Sequence, residues 1–228
     1  MPRTSNDADE AEPAELREPP RTARGVRTRA RLVSAARTVF ERDGFLDARL
    51  ADITTEAGTA AGSFYTYFAS KEEIFAAVLE EVKEEMLHPQ VREVTSGDDP
   101  VAVIAAGNRA YLESYARNAA LMRLLEQVAA IDDRFADVRW QRGRAFTERN
   151  ARSIRHLQER GLADPDVDAG LAATALSMMV SRTAYNTYVL GDDRDLDTLT
   201  DTLTRLWVNA LGIPERVNAD PSVKGSRP

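Results

Sequence analysis

The sequence DITTEAGTAAGSFYTYFASK at residues 52–71 predicts a helix, a tight turn and a short second helix. Gly58 suits the left-handed backbone of a turn between two helices, because a side chain is penalised in that conformation. Small and hydroxyl-bearing residues occupy the side of the second helix that would face away from the core. This pattern is typical of a helix-turn-helix, whose second helix lies in the major groove of DNA.

Three short helices are predicted around the turn from apolar residues that recur at helical spacing. Asp43-Gly44 is expected to end the first helix, with Gly44 at the left-handed C-cap position. In the third helix, Phe64 and Phe68 lie four residues apart and are expected to point into a small core. The three helices are predicted over residues 28–42, 50–57 and 60–68.

Positive charge is concentrated around this unit, although the whole chain has a net charge of −7. Residues 21–71 contain nine Lys or Arg against five Asp or Glu, whereas residues 1–20 contain two Arg and six acids. Arginines just before a DNA-contacting unit favour phosphate contacts, although a solvated helix face is the alternative. Residues 1–23 have almost nothing to bury and are expected to form a disordered tail, acidic and then basic.

DNA contacts are predicted from three kinds of residue. Arginine and lysine meet phosphates, small residues let the helix backbone approach the bases, and hydroxyl groups bond phosphate or base edges. The predicted DNA-contacting residues are Arg27, Arg31, Arg49, Ala61, Gly62, Ser63, Tyr65, Thr66, Tyr67 and Lys71.

Ser70 and Glu73 predict the start of the next helix, because Ser at the N-cap and Glu three residues later form a capping box. That helix is predicted over residues 71–94, with His88-Pro89 either bending it or following its end near residue 87. Five more helices follow by the same apolar periodicity. They are predicted over residues 100–117, 119–131, 135–160, 167–190 and 195–211.

The last two helices are predicted to carry a homodimer interface. The helix over residues 167–190 is apolar on more than one face, so one stripe is expected to meet the core and the other a partner subunit in a four-helix contact. The predicted interface residues are Leu176, Met179, Leu199, Leu203 and Leu206.

A ligand pocket is predicted among the helices after residue 71, because methionine and aromatic side chains form adaptable apolar walls. Core packing is the alternative for each of these residues taken singly. The predicted lining residues are Met86, Tyr111, Tyr115, Leu124, Val128, Trp140, Phe146, Met178, Arg182 and Tyr185. Six arginines between residues 139 and 155, in the helix predicted over residues 135–160, either bind an anionic ligand group or form a solvated, acid-paired face.

The pair Gly44-Phe45 and the stretch LADITTEAGTAAGSFYTYFASKEEIFAAVL at residues 50–79 resemble the N-terminal domain of TetR-type transcriptional regulators. The resemblance covers roughly residues 27–80. It implies an all-α fold with an N-terminal three-helix helix-turn-helix DNA-binding domain and a C-terminal helical ligand-binding and dimerisation domain. We expect these domains over residues 24–70 and 71–213, with a flexible tail over residues 214–228.

The resemblance also implies a ligand-responsive regulator: a homodimeric repressor released from a palindromic operator in double-stranded DNA by a small hydrophobic or amphipathic effector. Some positions differ from the family pattern. Ala51 stands where a basic residue is frequent, and Thr59-Ala60 replaces the usual Val-Ser after the turn glycine. A serine N-cap is therefore missing from the third helix, and Thr59 is a candidate to replace it.

Several sequence features bear on whether the chain belongs to another class of protein. The chain has no Cys, which excludes disulfides and thiolate metal sites, and its two histidines lie far apart, so neither a metal nor a cofactor is expected. No apolar run or signal segment is evident, so a cytoplasmic protein is expected. No catalytic motif supports an enzyme. An all-helical partner-binding protein with weak or vestigial DNA binding is the main alternative.

Overall fold

The computed structural model describes residues 20–87 and 99–214, and within those ranges all regular structure is helical. None of the helices in these ranges is long and apolar enough to cross a membrane. Residues 1–19, the His88-Pro89 segment and residues 215–228 lie outside the described part of the chain. The helices are α1 (Ala23–Asp47), α2 (Leu50–Glu56), α3 (Ala61–Tyr67), α4 (Lys71–Leu87), α5 (Pro100–Arg117), α6 (Ala119–Ala129), α7 (Asp133–Glu159), α8 (Ala169–Tyr188) and α9 (Leu196–Ala210).

The chain forms two compact units, one ending at Glu80 and the other beginning at Glu81. This division lies ten residues after the expected boundary between residues 70 and 71. The reason is the first half of α4, which completes the core of the N-terminal unit. The ring of Phe75 lies 4.9 Å from the rings of both Phe40 and Phe45, and all three side chains are buried.

The first helix begins five residues before its predicted start. Thr22 caps it, because the Thr22 hydroxyl accepts a hydrogen bond of 3.1 Å from the backbone N–H of Gly25. The arginine-rich first turns have no apolar side chain to bury against the core, so periodicity could not locate them. Gly44 breaks the helix as predicted, with a φ of 80°.

The C-terminal unit places α5 against α9 and α7 against α8. Polar pairs fix both contacts. The side-chain amide of Asn108 donates to the hydroxyl of Thr204 over 3.2 Å, and that of Asn150 donates to Ser177 over 2.9 Å. Asp168 caps α8 by accepting from the N–H of Leu171, so this helix starts two residues later than predicted.

Three of the five residues predicted for the dimer interface are buried within the single chain. Leu176, Leu199 and Leu203 are at most 7% exposed in the single chain, because their side chains pack into the core of their own unit. They leave no surface for a partner subunit. Met179 is half-buried, and Leu206 is 44% exposed.

Candidate nucleic-acid interface and ligand cavity

The turn between α2 and α3 has the geometry that the sequence predicts. Gly58 adopts a φ of 59°, in the left-handed region that favours glycine. Arg31 of α1 holds this turn, because its guanidinium donates to the carbonyl oxygens of Ala57 and Gly58 over 2.8 and 3.3 Å. Arg31, predicted as a DNA contact, therefore has a structural role that the sequence did not reveal.

Helix α3 separates a buried face from an open one. Phe64 and the C-cap residue Phe68 are at most 1% exposed, and their rings lie 5.8 Å apart in the core of the N-terminal unit. The opposite face presents small residues, a hydroxyl and an aromatic ring to solvent. Ala61, Gly62, Tyr65 and Thr66 are exposed on this face, while Ser63 and Tyr67 are half-buried.

Lys71 is engaged with the protein itself. Its ammonium group donates to the carbonyl oxygens of Leu46 and Ala48 over 3.1 and 3.2 Å and lies 4.9 Å from the centre of the Phe45 ring. The lysine thus ties the start of α4 to the segment between α1 and α2. These two hydrogen bonds occupy N–H groups of the Lys71 ammonium, so the predicted phosphate contact would be a second role for this residue.

Arginine side chains surround the same unit. Arg27 and Arg49 are exposed, as phosphate contacts require. Arg29, which sequence reasoning did not select, lies 4.9 Å from the centre of the buried Phe68 ring. Its guanidinium therefore packs on the end of α3. Only the three-dimensional contact distinguishes this arginine from its neighbours in the charge run.

The caps of the short helices differ from those expected. No side chain caps α2 at Arg49 or α3 at Ala60, and the hydroxyl of Thr59 donates back to the carbonyl of Thr54 over 3.4 Å. The prediction that Thr59 replaces the missing cap is wrong. For α4, the hydroxyl of Ser70 accepts from the N–H of Glu73 over 3.2 Å, as in the first half of a capping box.

The C-terminal unit contains a cavity of about 810 Å³. That volume falls within the range of roughly 300–1,000 Å³ typical of small-molecule sites. Eight of the ten predicted lining residues lie on its wall: Met86, Tyr111, Tyr115, Trp140, Phe146, Met178, Arg182 and Tyr185. Leu124 and Val128 do not, because both are buried in packing elsewhere in this unit.

Aromatic rings and arginines meet around Phe146 in the cavity wall. The Phe146 ring packs edge-on against Tyr111 at 5.3 Å, and the guanidinium groups of Arg142 and Arg149 lie 5.8 and 5.4 Å from its centre. Burial, together with the nearby charge of Arg152, lowers the pKa of Arg149. Burial raises the pKa of Tyr115, so its hydroxyl stays neutral and available for hydrogen bonding at physiological pH.

An apolar face remains open on α8 and α9. Leu171, Ala175 and Met178 recur at helical spacing along α8 and are exposed, with Leu171 at 70%. Leu206 is the exposed leucine on α9. In the described residues, no cluster of His, Asp and Glu could hold a metal ion.

Residues of both units match families of known proteins. Residues 32–78 match the family described as "Bacterial regulatory proteins, tetR family", and residues 104–212 match "Transcriptional regulator EthR, C-terminal domain". The HTH-type transcriptional regulator EthR of Mycobacterium tuberculosis is 26% identical over 188 residues, covering 79% of this chain and 85% of that protein. TtgR of Pseudomonas putida, also an HTH-type transcriptional regulator, is 25% identical over 178 residues, covering 74% of this chain and 84% of that protein.

Solved structures share the fold. A TetR-like transcriptional regulator from Rhodococcus sp. RHA1 superposes with a TM-score of 0.59 at 23% identity, covering 81% of this chain and 96% of that chain. The fatty acid degradation regulator FadR from Bacillus halodurans superposes with a TM-score of 0.65 at 18% identity, covering 78% and 97%. These structures share the fold, and the two family matches, at residues 32–78 and 104–212, show that the chain belongs to the TetR family of DNA-binding transcriptional regulators.

Proposed function

We propose that this regulator is a homodimeric repressor that leaves a palindromic operator when a hydrophobic or amphipathic small molecule enters the C-terminal cavity. The exposed face of α3 is the main observation in support of operator binding. Ala61, Gly62 and Thr66 offer little bulk, so the helix backbone can approach base edges, while Tyr65 extends beyond them toward phosphate. Arg27 and Arg49 add exposed positive charge in the same unit.

Dimerisation supplies the second recognition helix. One α3 of seven residues spans only a few base pairs, so specific binding requires two copies about 34–36 Å apart on one side of the duplex. The open apolar face of Leu171, Ala175, Met178 and Leu206 is the proposed contact between subunits. This exposed face is proposed in place of the three leucines that the sequence predicted for the interface and that are buried in the single chain.

Helix α4 is the proposed connection between ligand and DNA. Phe75, in its first half, belongs to the core of the N-terminal unit, and Met86, in its last turn, lines the cavity of the C-terminal unit. A ligand that displaces Met86 therefore acts on the same helix that supports the helix-turn-helix. A coupling free energy of about 1–3 kcal/mol would lower DNA affinity roughly 5- to 150-fold.

Selection of bound fragments from the genome that encodes this chain, followed by fluorescence anisotropy, tests the DNA half of the proposal. Recovered fragments are expected to share an inverted repeat. Tyr65→Ala is expected to weaken binding to every fragment, and Thr66→Ala to change the preferred base at one position of each half-site. Ile131→Ala, a matched change at an exposed residue of the other unit, is the control. Fragments without a shared motif would refute the proposal.

A further inference from the structure

We propose that the C-terminal cavity selects amphipathic organic anions, in which a carboxylate or similar group is attached to an apolar body, and that Arg142 is the main anchor of the anionic group. The inference deepens the proposed function, on which it rests, by assigning the chemical class of the effector. It starts from the charge of the cavity wall and the surroundings of Arg142.

The cavity wall is positively charged in a chain that is negatively charged overall. Its described lining residues include five arginines and two glutamates, whereas the chain carries a net charge of −7. Both glutamates are already paired, Glu126 with Arg139 over 3.0 Å and Glu148 with Arg144 over 2.6 Å. Among the described residues, neither glutamate is therefore left to balance the charge of Arg142 or Arg182.

Among the residues that the structure describes, Arg142 has only weak partners. One of its terminal nitrogens donates to the thioether sulfur of Met86, and its guanidinium lies 5.8 Å from the Phe146 ring. Its Nε–H is enclosed by protein and has no acceptor among the described residues. A half-buried cation without an anionic partner is costly, and a ligand carboxylate offers the charge-assisted hydrogen bonds that sulfur and an aromatic ring cannot.

Two further arginines reinforce the site. Arg149 lies 5.4 Å from the centre of the same Phe146 ring, and its burial places it where charges interact more strongly than in water. Arg182 of α8 lies over the ring of Tyr185 at 5.1 Å and is exposed. Arg182 is thus suited to meet an anion entering the cavity.

The rest of the wall requires an apolar body. Ile104, Met122 and Leu125 line the cavity with Tyr111 and Tyr115, so an inorganic anion would leave most of the 810 Å³ without a matching partner. An anion that draws Arg142 away from Met86 also removes a contact of the last turn of α4. Anion binding and the proposed movement of α4 would then be one event.

Three probes with the same twelve-carbon tail test the class: dodecanoate and dodecyltrimethylammonium, each below its micelle concentration, and dodecanol below its solubility limit. Affinity is measured by calorimetry on the full chain without DNA. Dodecanoate is expected to bind at least about 10-fold tighter than dodecanol, as one charge-assisted contact predicts, and the cation weakest of the three. Equal affinity for dodecanoate and dodecanol would overturn the inference.

Two substitutions of Arg142 test whether this residue binds the anionic group of the ligand. Arg142→Gln is expected to reduce dodecanoate affinity roughly 10- to 100-fold and to leave dodecanol affinity unchanged, while Arg142→Lys restores part of the difference. Arg155→Gln removes the same charge from an exposed position of α7 outside the cavity and should change neither. If Arg142→Gln weakens both probes equally, the arginine supports the fold instead. Arg182→Gln, at an exposed site where folding is not at risk, should then still weaken dodecanoate alone; if it does not, the inference fails.

The same probes separate this inference from the proposed function. If dodecanoate binds more tightly than dodecanol but leaves an operator complex intact in a gel shift, the ligand class stands and ligand-released repression fails. If neutral and cationic probes release the operator as well as dodecanoate does, repression stands and the anion preference fails.

Discussion

Replacing Gly58 by Ala tests whether the left-handed turn holds the helix-turn-helix together. A Cβ at this position would meet no atom within 4 Å, so the penalty comes only from the φ of 59°. That conformation costs an L-residue about 1–2 kcal/mol. Gly62→Ala is the matched control: it also meets nothing within 4 Å but lies within helix α3, where Ala stabilises by about 0.5–1 kcal/mol. The same chemical change therefore has opposite signs at two sites four residues apart.

The assay is amide hydrogen exchange at Ile53 and Phe64, two buried residues of the helix-turn-helix. Exchange reports the free energy of opening of this unit and does not require the two units to unfold together. Gly58→Ala is expected to lower that free energy and Gly62→Ala to raise it, with a difference of about 2 kcal/mol between them. Equal changes in the two variants would refute the claim that backbone conformation at Gly58 fixes the turn.

Other contacts of the two units can be tested by single substitutions. Lys71→Met removes the hydrogen bonds to the carbonyl groups of Leu46 and Ala48. It should lower the free energy of unfolding of the N-terminal unit, measured by urea denaturation, by about 1–3 kcal/mol. An unchanged midpoint would show that these contacts are not stabilising. Trp207→Phe removes an indole N–H that is buried without an acceptor among the described residues, so thermal melting should show little loss of stability, and a drop of several kcal/mol would reveal a partner of this N–H. Leu171→Asp should yield monomers by analytical ultracentrifugation while Ile131→Asp, which is equally exposed, leaves the dimer intact; a dimeric Leu171→Asp protein would place the interface elsewhere.

Sequence periodicity predicts the helices well because each one buries an apolar stripe. All nine helices of the described residues were predicted, and Gly44 and Gly58 end a helix or form a turn as predicted. Periodicity cannot locate the first turns of α1, whose residues are largely exposed arginines and whose start is set by the hydroxyl of Thr22.

The site was predicted less completely, because one-dimensional patterns do not show which partner a side chain meets. The exposed residues of α3 follow from helical geometry alone. By contrast, Arg31 and Lys71 bond to backbone carbonyls of residues more than twenty positions away, and Leu199 and Leu203 pack inward. A cationic side chain near a helix-turn-helix and a leucine on an amphipathic helix each have two plausible partners, and only the tertiary contact decides between them.

The ratio of specific to non-specific DNA affinity, measured by anisotropy over a range of salt concentrations, tests the central claim most directly. The probes are a selected inverted-repeat fragment and a scrambled duplex of the same composition. The account predicts binding of the repeat at least about 10³-fold tighter than the scrambled duplex, and affinity for both that falls steeply with salt. Equal affinity for the two duplexes, or none for either at low salt, would contradict it.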